Sequence, residues 1–217
     1  MGRVLKNVVK SLLAEIEAGN LTEQEAAILE NGLLGTVAGM PDAINAQRTQ
    51  ISGTLPTYLK AREFIGDQGR GIDYGAGLGL GAQALDLDDY EPFPRKDYNP
   101  KYRDPRRIPS NSYDRLTNLN VLNVVPREIR DQIVSDIGRV ISPNGVGVIT
   151  TRGSDVLNVK NPRFGPEPMS VITSSDTYQK GFKQAELRDY LRYILGDNFD
   201  VESVKLGPAG ARIRKKR

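Results

Sequence analysis

The segment GIDYGAGLGLGA, residues 71–82, closes a short apolar run with the acidic Asp73 and then places glycine at Gly75, Gly77, Gly79 and Gly81. Glycines at a strand-to-helix turn permit a tight backbone reversal and let a ligand approach the main chain closely. A carboxylate beside that turn repels the phosphates of a dinucleotide. It attracts a ligand that brings an ammonium and a sulfonium instead, the charge pattern of S-adenosylmethionine. Gly77, Gly79 and Ala82 also satisfy the G-x-G-x-x-G/A spacing of dinucleotide-binding folds, so an NAD-type oxidoreductase is the competing reading. A second acidic run, LDDYEPFP at 87–94, offers Glu91, 18 residues after Asp73. That is close to the offset of roughly 20 residues at which a carboxylate takes the two ribose hydroxyls in such folds. Asp88 and Asp89 are its rivals; Pro92, Phe93 and Pro94 favour Glu91 as the residue at the strand end.

The composition removes several chemistries. The 217 residues include no cysteine and no histidine, which excludes Ser-His-Asp and Cys-His catalysis, thiolate zinc sites and the cysteine attack that carbon-5 methylation of cytosine requires. No metal site is expected. Lys and Arg number 30 against 27 Asp and Glu, and the basic excess sits in one place, Arg212, Arg214, Lys215, Lys216 and Arg217. Such a tail is either a solvated terminus or a phosphate contact for nucleic acid. A second basic group, Arg95, Lys96, Lys101, Arg103, Arg106 and Arg107, is its possible companion. No apolar run approaches the roughly 18 to 20 residues of a membrane span, and the first ten residues lack a signal-peptide core, so a cytoplasmic protein without membrane contact is expected.

The elements that position these residues fall into two parts. Residues 1–60 read as a helical N-terminal arm, a packing appendage or a substrate-recognition lid. Leu5, Val8, Val9, Leu12, Leu13 and Ile16 keep helical spacing, Thr22 and Glu25 form a capping box, and TLPTYLKAREFI continues as a third helix. Residues 61–217 alternate strands with helices, the pattern of a mostly parallel α/β sheet. Strands are expected at 71–74, 89–93, 114–119 and 145–150. PREIRDQIVSDIGRVI is a helix with Ile129, Ile133, Ile137 and Val140 facing inward; a further helix, a strand FDVESVKLG and a final antiparallel edge strand GARIRKK follow. The long segment 153–176 is expected to dock through Phe164, Met169, Val171 and Ile172 as a substrate-facing loop.

Taken in order, DYGAGLG, YEPFP, IPSNSYDRLTNLNVLNVVP and IGRVISPNG followed by VGVITTRG resemble the motifs of class I S-adenosylmethionine-dependent methyltransferases over about residues 53 to 217. The resemblance implies a Rossmann-like fold, the cofactor S-adenosyl-L-methionine and methyl transfer to an acceptor, nucleic acid ahead of a small molecule or protein. A non-catalytic binding module on the same fold is the reading outside enzymology. The resemblance maps the methionine end of the donor onto Asp73, Gly75, Gly77 and Gly79, the ribose onto Glu91 and the adenine onto Asp104. Asn118 and Asn120 come nearest the expected methyl group, Asn118 on the donor side and Asn120 as the candidate catalytic residue. Arg152, Tyr178 and Lys180 lie in segments that face the acceptor in this family. The short spacing between Glu91 and Asp104 implies loss of a helix, and NLNV stands where amino-methylating DNA enzymes carry N/D-P-P-Y. The motifs also resemble small uncharacterised methyltransferase-like proteins of bacteriophage genomes, which implies a host-cytoplasm setting.

Overall fold

The structure, a computed structural model, describes residues 55–94, 98–174 and 176–217. The first two helices expected in the N-terminal arm lie outside them, as do Arg95 and Lys96. The described chain opens on the third helix of that arm, α1 (Leu55–Ile65), followed by β1 (Gly71–Tyr74), the short α2 (Leu80–Leu85) and β2 (Asp88–Tyr90). Then come β3 (Tyr113–Leu119), α3 (Arg127–Val140), β4 (Ile141–Thr151), β5 (Arg163–Phe164), β6 (Ser170–Ile172), β7 (Tyr178–Lys180), α4 (Gln184–Leu195), β8 (Phe199–Ser203) and β9 (Ala209–Lys215).

Six strands form the main sheet in the order β2-β1-β3-β4-β9-β8, with β2, β1, β3 and β4 parallel. β9 runs antiparallel to both neighbours, and β8 rather than β9 takes the rim. The inner strands are apolar on both faces because both are covered. On one face Tyr58, Ala61 and Ile65, one stripe of α1, pack with Leu85, Leu119, Val148 and Leu206; on the other α3 and α4 bring Val134, Ile137, Val140, Leu187 and Leu191 onto Ile72, Leu116 and Ile149. The α3 stripe is rotated from its expected position. Arg130 and Val134 are buried, while Ile129 and Ile133 flank the contact.

Between β2 and β3 the described residues hold only a single 3-10 turn, Pro105–Arg107, and one isolated bridge from Tyr90 to Tyr102. The connection is held by side chains: Arg139 donates to Ile108 O and Pro105 O at 2.7 and 3.0 Å, and Lys101 to Asp88 at 2.7 Å.

Segment 153–176 docks, and of the residues expected to carry it Val171 is buried while Phe164 is not. It contributes β5 and β6 to a three-stranded sheet with β7, Val171 is buried, and Phe164 stands 84% exposed. The anchor is Glu167, which takes both terminal nitrogens of the buried Arg130 at 2.9 and 3.0 Å and the Tyr178 hydroxyl. The other donors of Arg130 reach Leu122 O and Val125 O, and the Phe182 ring stacks on its guanidinium. Removing one partner of such a pair strands a buried charge. Glu167→Ala should therefore lower unfolding free energy by about 3 kcal/mol in urea denaturation, against under about 0.5 for the exposed Asp200→Ala. Equal effects for the two variants would disprove the clamp.

Candidate functional site

In the strand order the chain leaves β1 toward β2 on one side and returns as β3 on the other, so the crevice of a doubly wound sheet opens at the carboxyl ends of β1 and β3. Asp73 and Thr117 are register partners across that junction. The Thr117 hydroxyl donates to Asp73 Oδ1 at 2.7 Å; Oδ2 is buried and meets no hydrogen-bond geometry with a partner among the described residues. Burial pushes the Asp73 carboxyl up to about 7, against the downward pull of the Thr117 and Tyr58 hydroxyls and with reinforcement from Asp89 and Glu91. No lysine or arginine hydrogen-bonds to it among the described residues.

The loop after β1 turns through left-handed backbone at Gly75, Gly77 and Gly79. Its amides are already committed. Gly75 and Ala76 donate to Tyr90 O at 2.9 and 3.0 Å, Gly77 to Glu91 Oε2 at 2.9 Å and Gly79 to Ala76 O at 2.9 Å. Glu91, one residue past β2 and buried, also accepts from Phe93 N at 3.0 Å. A Cβ added at Gly77 meets nothing within 4 Å among the described residues, which leave that stretch of backbone open. One at Gly79 would lie 2.6 Å from the Tyr98 hydroxyl, and one at Gly81 2.4 Å from the Tyr58 ring. Two of the four alternating glycines thus answer to aromatic side chains of this chain.

Those two tyrosines were missed by sequence reasoning. Tyr58 belongs to an apolar helical stripe that reads as core, and its phenol is raised well above its usual value by burial and by Asp73. Tyr98 donates its hydroxyl to Asp89. Asp88, the other rival of Glu91, is engaged by Arg70, Lys101 and Tyr113.

Asn118 is buried with its amide donating to Tyr74 O at 2.6 Å, which leaves Oδ1 unpartnered. Asn120 follows β3 in left-handed backbone at φ 58°, a conformation asparagine tolerates, and donates its own amide to Thr150 O. Asp104 caps the 3-10 turn and gives both carboxylate oxygens to Arg106, whose hydrogen bond is the main cause holding its carboxyl below the usual range. The residues expected to face an acceptor are tied into the scaffold. Arg152 pairs with Asp155, Tyr178 donates to Glu167, and the buried Lys180 donates to Glu186 at 2.7 Å.

The basic tail is mostly strand. Arg212 donates to Phe64 O and Glu202, Lys215 donates to Asn111, Gly138 O and Ile141 O, and Lys216 pairs with Asp200 at 3.4 Å. Arg214 and Arg217 remain exposed. Two surface grooves, one lined by Glu63, Phe64, Glu202 and Arg212 and one by Asp131, Asp136 and Arg139, involve none of the crevice residues.

No family model matches the sequence, and no curated protein matches it. Solved structures do. The 1,6-didemethyltoxoflavin-N1-methyltransferase of Burkholderia thailandensis, bound to 1,6-didemethyltoxoflavin and S-adenosylhomocysteine, superposes with a TM-score of 0.57 at 15% identity over 91% of each chain. DhpI in complex with SAH matches at 0.55 and 16% identity, over 80% of this chain and 91% of its own. The cyclase SpnF matches at 0.50 and 16% identity, over 74% and 80%. The chain has the Rossmann-like class I methyltransferase fold.

The raised Asp73 carboxyl carries a signed prediction. Its folded state holds a proton more tightly than the unfolded state, so the stability that protonation preserves at low pH is lost as pH rises toward about 7. Asp73→Asn removes that loss. Its melting temperature relative to the wild type should rise between pH 4.5 and 8, by an equivalent of up to about 3 kcal/mol. A difference that does not change with pH would refute the buried-charge account.

Proposed function

We propose that the protein binds S-adenosyl-L-methionine at the β1–β3 crevice and transfers its methyl group to an acceptor. The observation that carries the reading is the unpartnered Oδ2 of Asp73, a buried carboxylate at the switch point of a sheet with this strand order. Such an atom fits a ligand cation. The rival dinucleotide fits poorly, because the amides of Gly75, Ala76, Gly77 and Gly79 are already donated within the protein and α2, with six residues, has little dipole to offer a pyrophosphate.

When bound, the donor supplies an electrophilic methyl group. Asp73 would hold its ammonium, Glu91 its ribose hydroxyls while keeping the Gly77 amide, and the open backbone at Gly77 would let it approach. Gly75 and Gly79 shape the turn. Asp104, which accepts from Arg106, would meet the adenine, and Asn118 would present Oδ1 toward the transfer site. Asn120 is the candidate for orienting the acceptor. Displacement at a sulfonium is carried largely by such positioning.

For the acceptor, nucleic acid stays a proposal on narrower support, with Arg214 and Arg217 the outward charges of the tail. The bacteriophage setting and host cytoplasm rest on the resemblance of the DYGAGLGLGA, YEPFP and NVLNVVPREIRDQIV segments alone. Among the described residues no helix is long and apolar enough to cross a membrane.

Isothermal titration tests the donor. S-adenosylhomocysteine should bind and NADH should not, and Asp73→Ala should weaken binding by about 1 to 3 kcal/mol with circular dichroism unchanged. NADH binding alone would return the oxidoreductase reading; binding of neither would leave a scaffold. If nucleic acid is the acceptor, affinity for single-stranded or duplex probes should fall steeply with salt, and Arg214→Ala with Arg217→Ala should flatten the slope by about two charges. No salt-sensitive binding to any probe would point to a small molecule.

A further inference from the structure

Besides Asp73 Oδ2, four buried side-chain oxygens have no hydrogen-bond partner among the described residues: Asn118 Oδ1, Asn123 Oδ1, Thr150 Oγ1 and Thr151 Oγ1. Strand register sorts them by face. In the parallel β3–β4 pair Asn118 stands opposite Ile149, and Leu119 opposite Thr150. Side chains alternate between faces along a strand, so Asn118 and Thr151 share the face of Leu116 and Ile149, which α3 and α4 cover. Thr150 lies on the α1 face with Leu119. Asn123 belongs to the 3-10 turn Leu122–Val124, which packs against β4 and β7 and places Leu122 in the same α3–α4 cluster. Asn118, Asn123 and Thr151 are thus unfilled hydrogen-bond acceptors at one end of one face, and the two asparagines are at most 1% exposed.

The cations around that end are taken. Arg130 is held by Glu167, Lys180 by Glu186 and Arg152 by Asp155. A carboxylate or phosphate would find none of these free, and it would face asparagine carbonyl oxygens, which only accept. A molecule that brings N–H groups fits them. Hydroxyl and thiol acceptors must also lose a proton before they attack, and the carboxylates here are engaged by those same cations. A neutral nitrogen holds its lone pair without a base.

We infer that the methyl acceptor is a neutral nitrogen compound carrying N–H groups, received by Asn118 Oδ1, Asn123 Oδ1 and Thr151 Oγ1. The inference rests on the methyl-donor reading above and adds to it the class of the nucleophile and two residues, Asn123 and Thr151. In the transfer the nitrogen lone pair forms the new N–C bond, the electron pair of the broken S–C bond stays on sulfur, and the proton shed by the methylated nitrogen goes to water.

S-adenosylmethionine with an isotope-labelled methyl carbon, incubated with the full chain and a bacterial cell extract, reports the nucleophile through the NMR shift of the transferred methyl. An N-methyl product is expected. An O-methyl, S-methyl or methyl-ester product would overturn the inference. Thr151→Val and Asn123→Leu should each lower the rate of product formation by about tenfold or more, the worth of a hydrogen bond lost to a buried partner. The ligand-free variants should melt at or above the wild-type temperature, because each loses a buried oxygen that has no partner to strand. A lowered melting temperature would make the two residues structural, and unchanged rates would take them out of the site. No labelled product, with S-adenosylhomocysteine binding in titration, would overturn the acceptor site and leave the donor reading standing. No binding of S-adenosylhomocysteine would remove the donor reading and this inference with it.

Discussion

A carboxylate held out of water at the junction of β1 and β3 is the constraint around which the crevice is built. Ionised, Asp73 is costly there, and the Thr117 and Tyr58 hydroxyls offset only part of that cost. The surroundings leave the cost in place: among the described residues no lysine or arginine hydrogen-bonds to it, and Asp89 and Glu91 add to it. A fold that needed only stability would place an apolar residue at this position, as it does at Ile72 and Leu116 in the same strands. Keeping an acid there is a sacrifice of stability that a cationic ligand reverses, and strained or under-satisfied groups of this kind concentrate at functional sites.

The shortened connection after β2 explains why so many polar side chains cross this part of the molecule. A strand and helix there would cover the end of the sheet with apolar surface. With a single bridge between Tyr90 and Tyr102 in their place, the cover is stitched on by Arg139 to the carbonyls of Pro105 and Ile108, by Arg70 and Lys101 to Asp88, and by Tyr98 to Asp89. Those charges look in sequence like a basic surface for nucleic acid. In the fold, the described ones with partners are mainly internal fasteners, and the same holds for Arg212, Lys215 and Lys216 in β9.

The sheet and its helices were legible because periodicity reports burial: β1 falls on 71–74 as expected, and α3 and α4 lie within a residue of the expected ends. The strand before β9 and the antiparallel sense of β9 were legible too, while its place inside the sheet was not, since position depends on long-range pairing. Asp73, Glu91 and the glycines could be read because a motif binds them in sequence. Tyr58 could not. It sits 15 residues before Asp73 in an apolar stripe, and only the packing of α1 over α2 brings its ring against Gly81. Arg130 was hidden for the opposite reason: a charge within a helix is read as solvent-facing, and its buried position depends on Glu167 arriving from a segment without periodicity.

The carboxyl ends of β3 and β4 are chemically different from the β1 end. The ionisable side chains that sequence placed there, Arg152, Tyr178 and Lys180, serve to fasten the β5–β7 sheet and α4. What remains unpartnered and buried is neutral: Asn118 Oδ1, Asn123 Oδ1, Thr150 Oγ1 and Thr151 Oγ1. Amides and hydroxyls orient a reactant, and at neutral pH they do not remove its proton. On the methyl-transfer reading, the described residues at this end of the sheet would suit an acceptor that arrives already nucleophilic, with alignment and exclusion of water as the protein's contribution. The division follows from the fold. The charge is concentrated where β1 meets β3, and the neutral polar atoms lie at the carboxyl ends of β3 and β4.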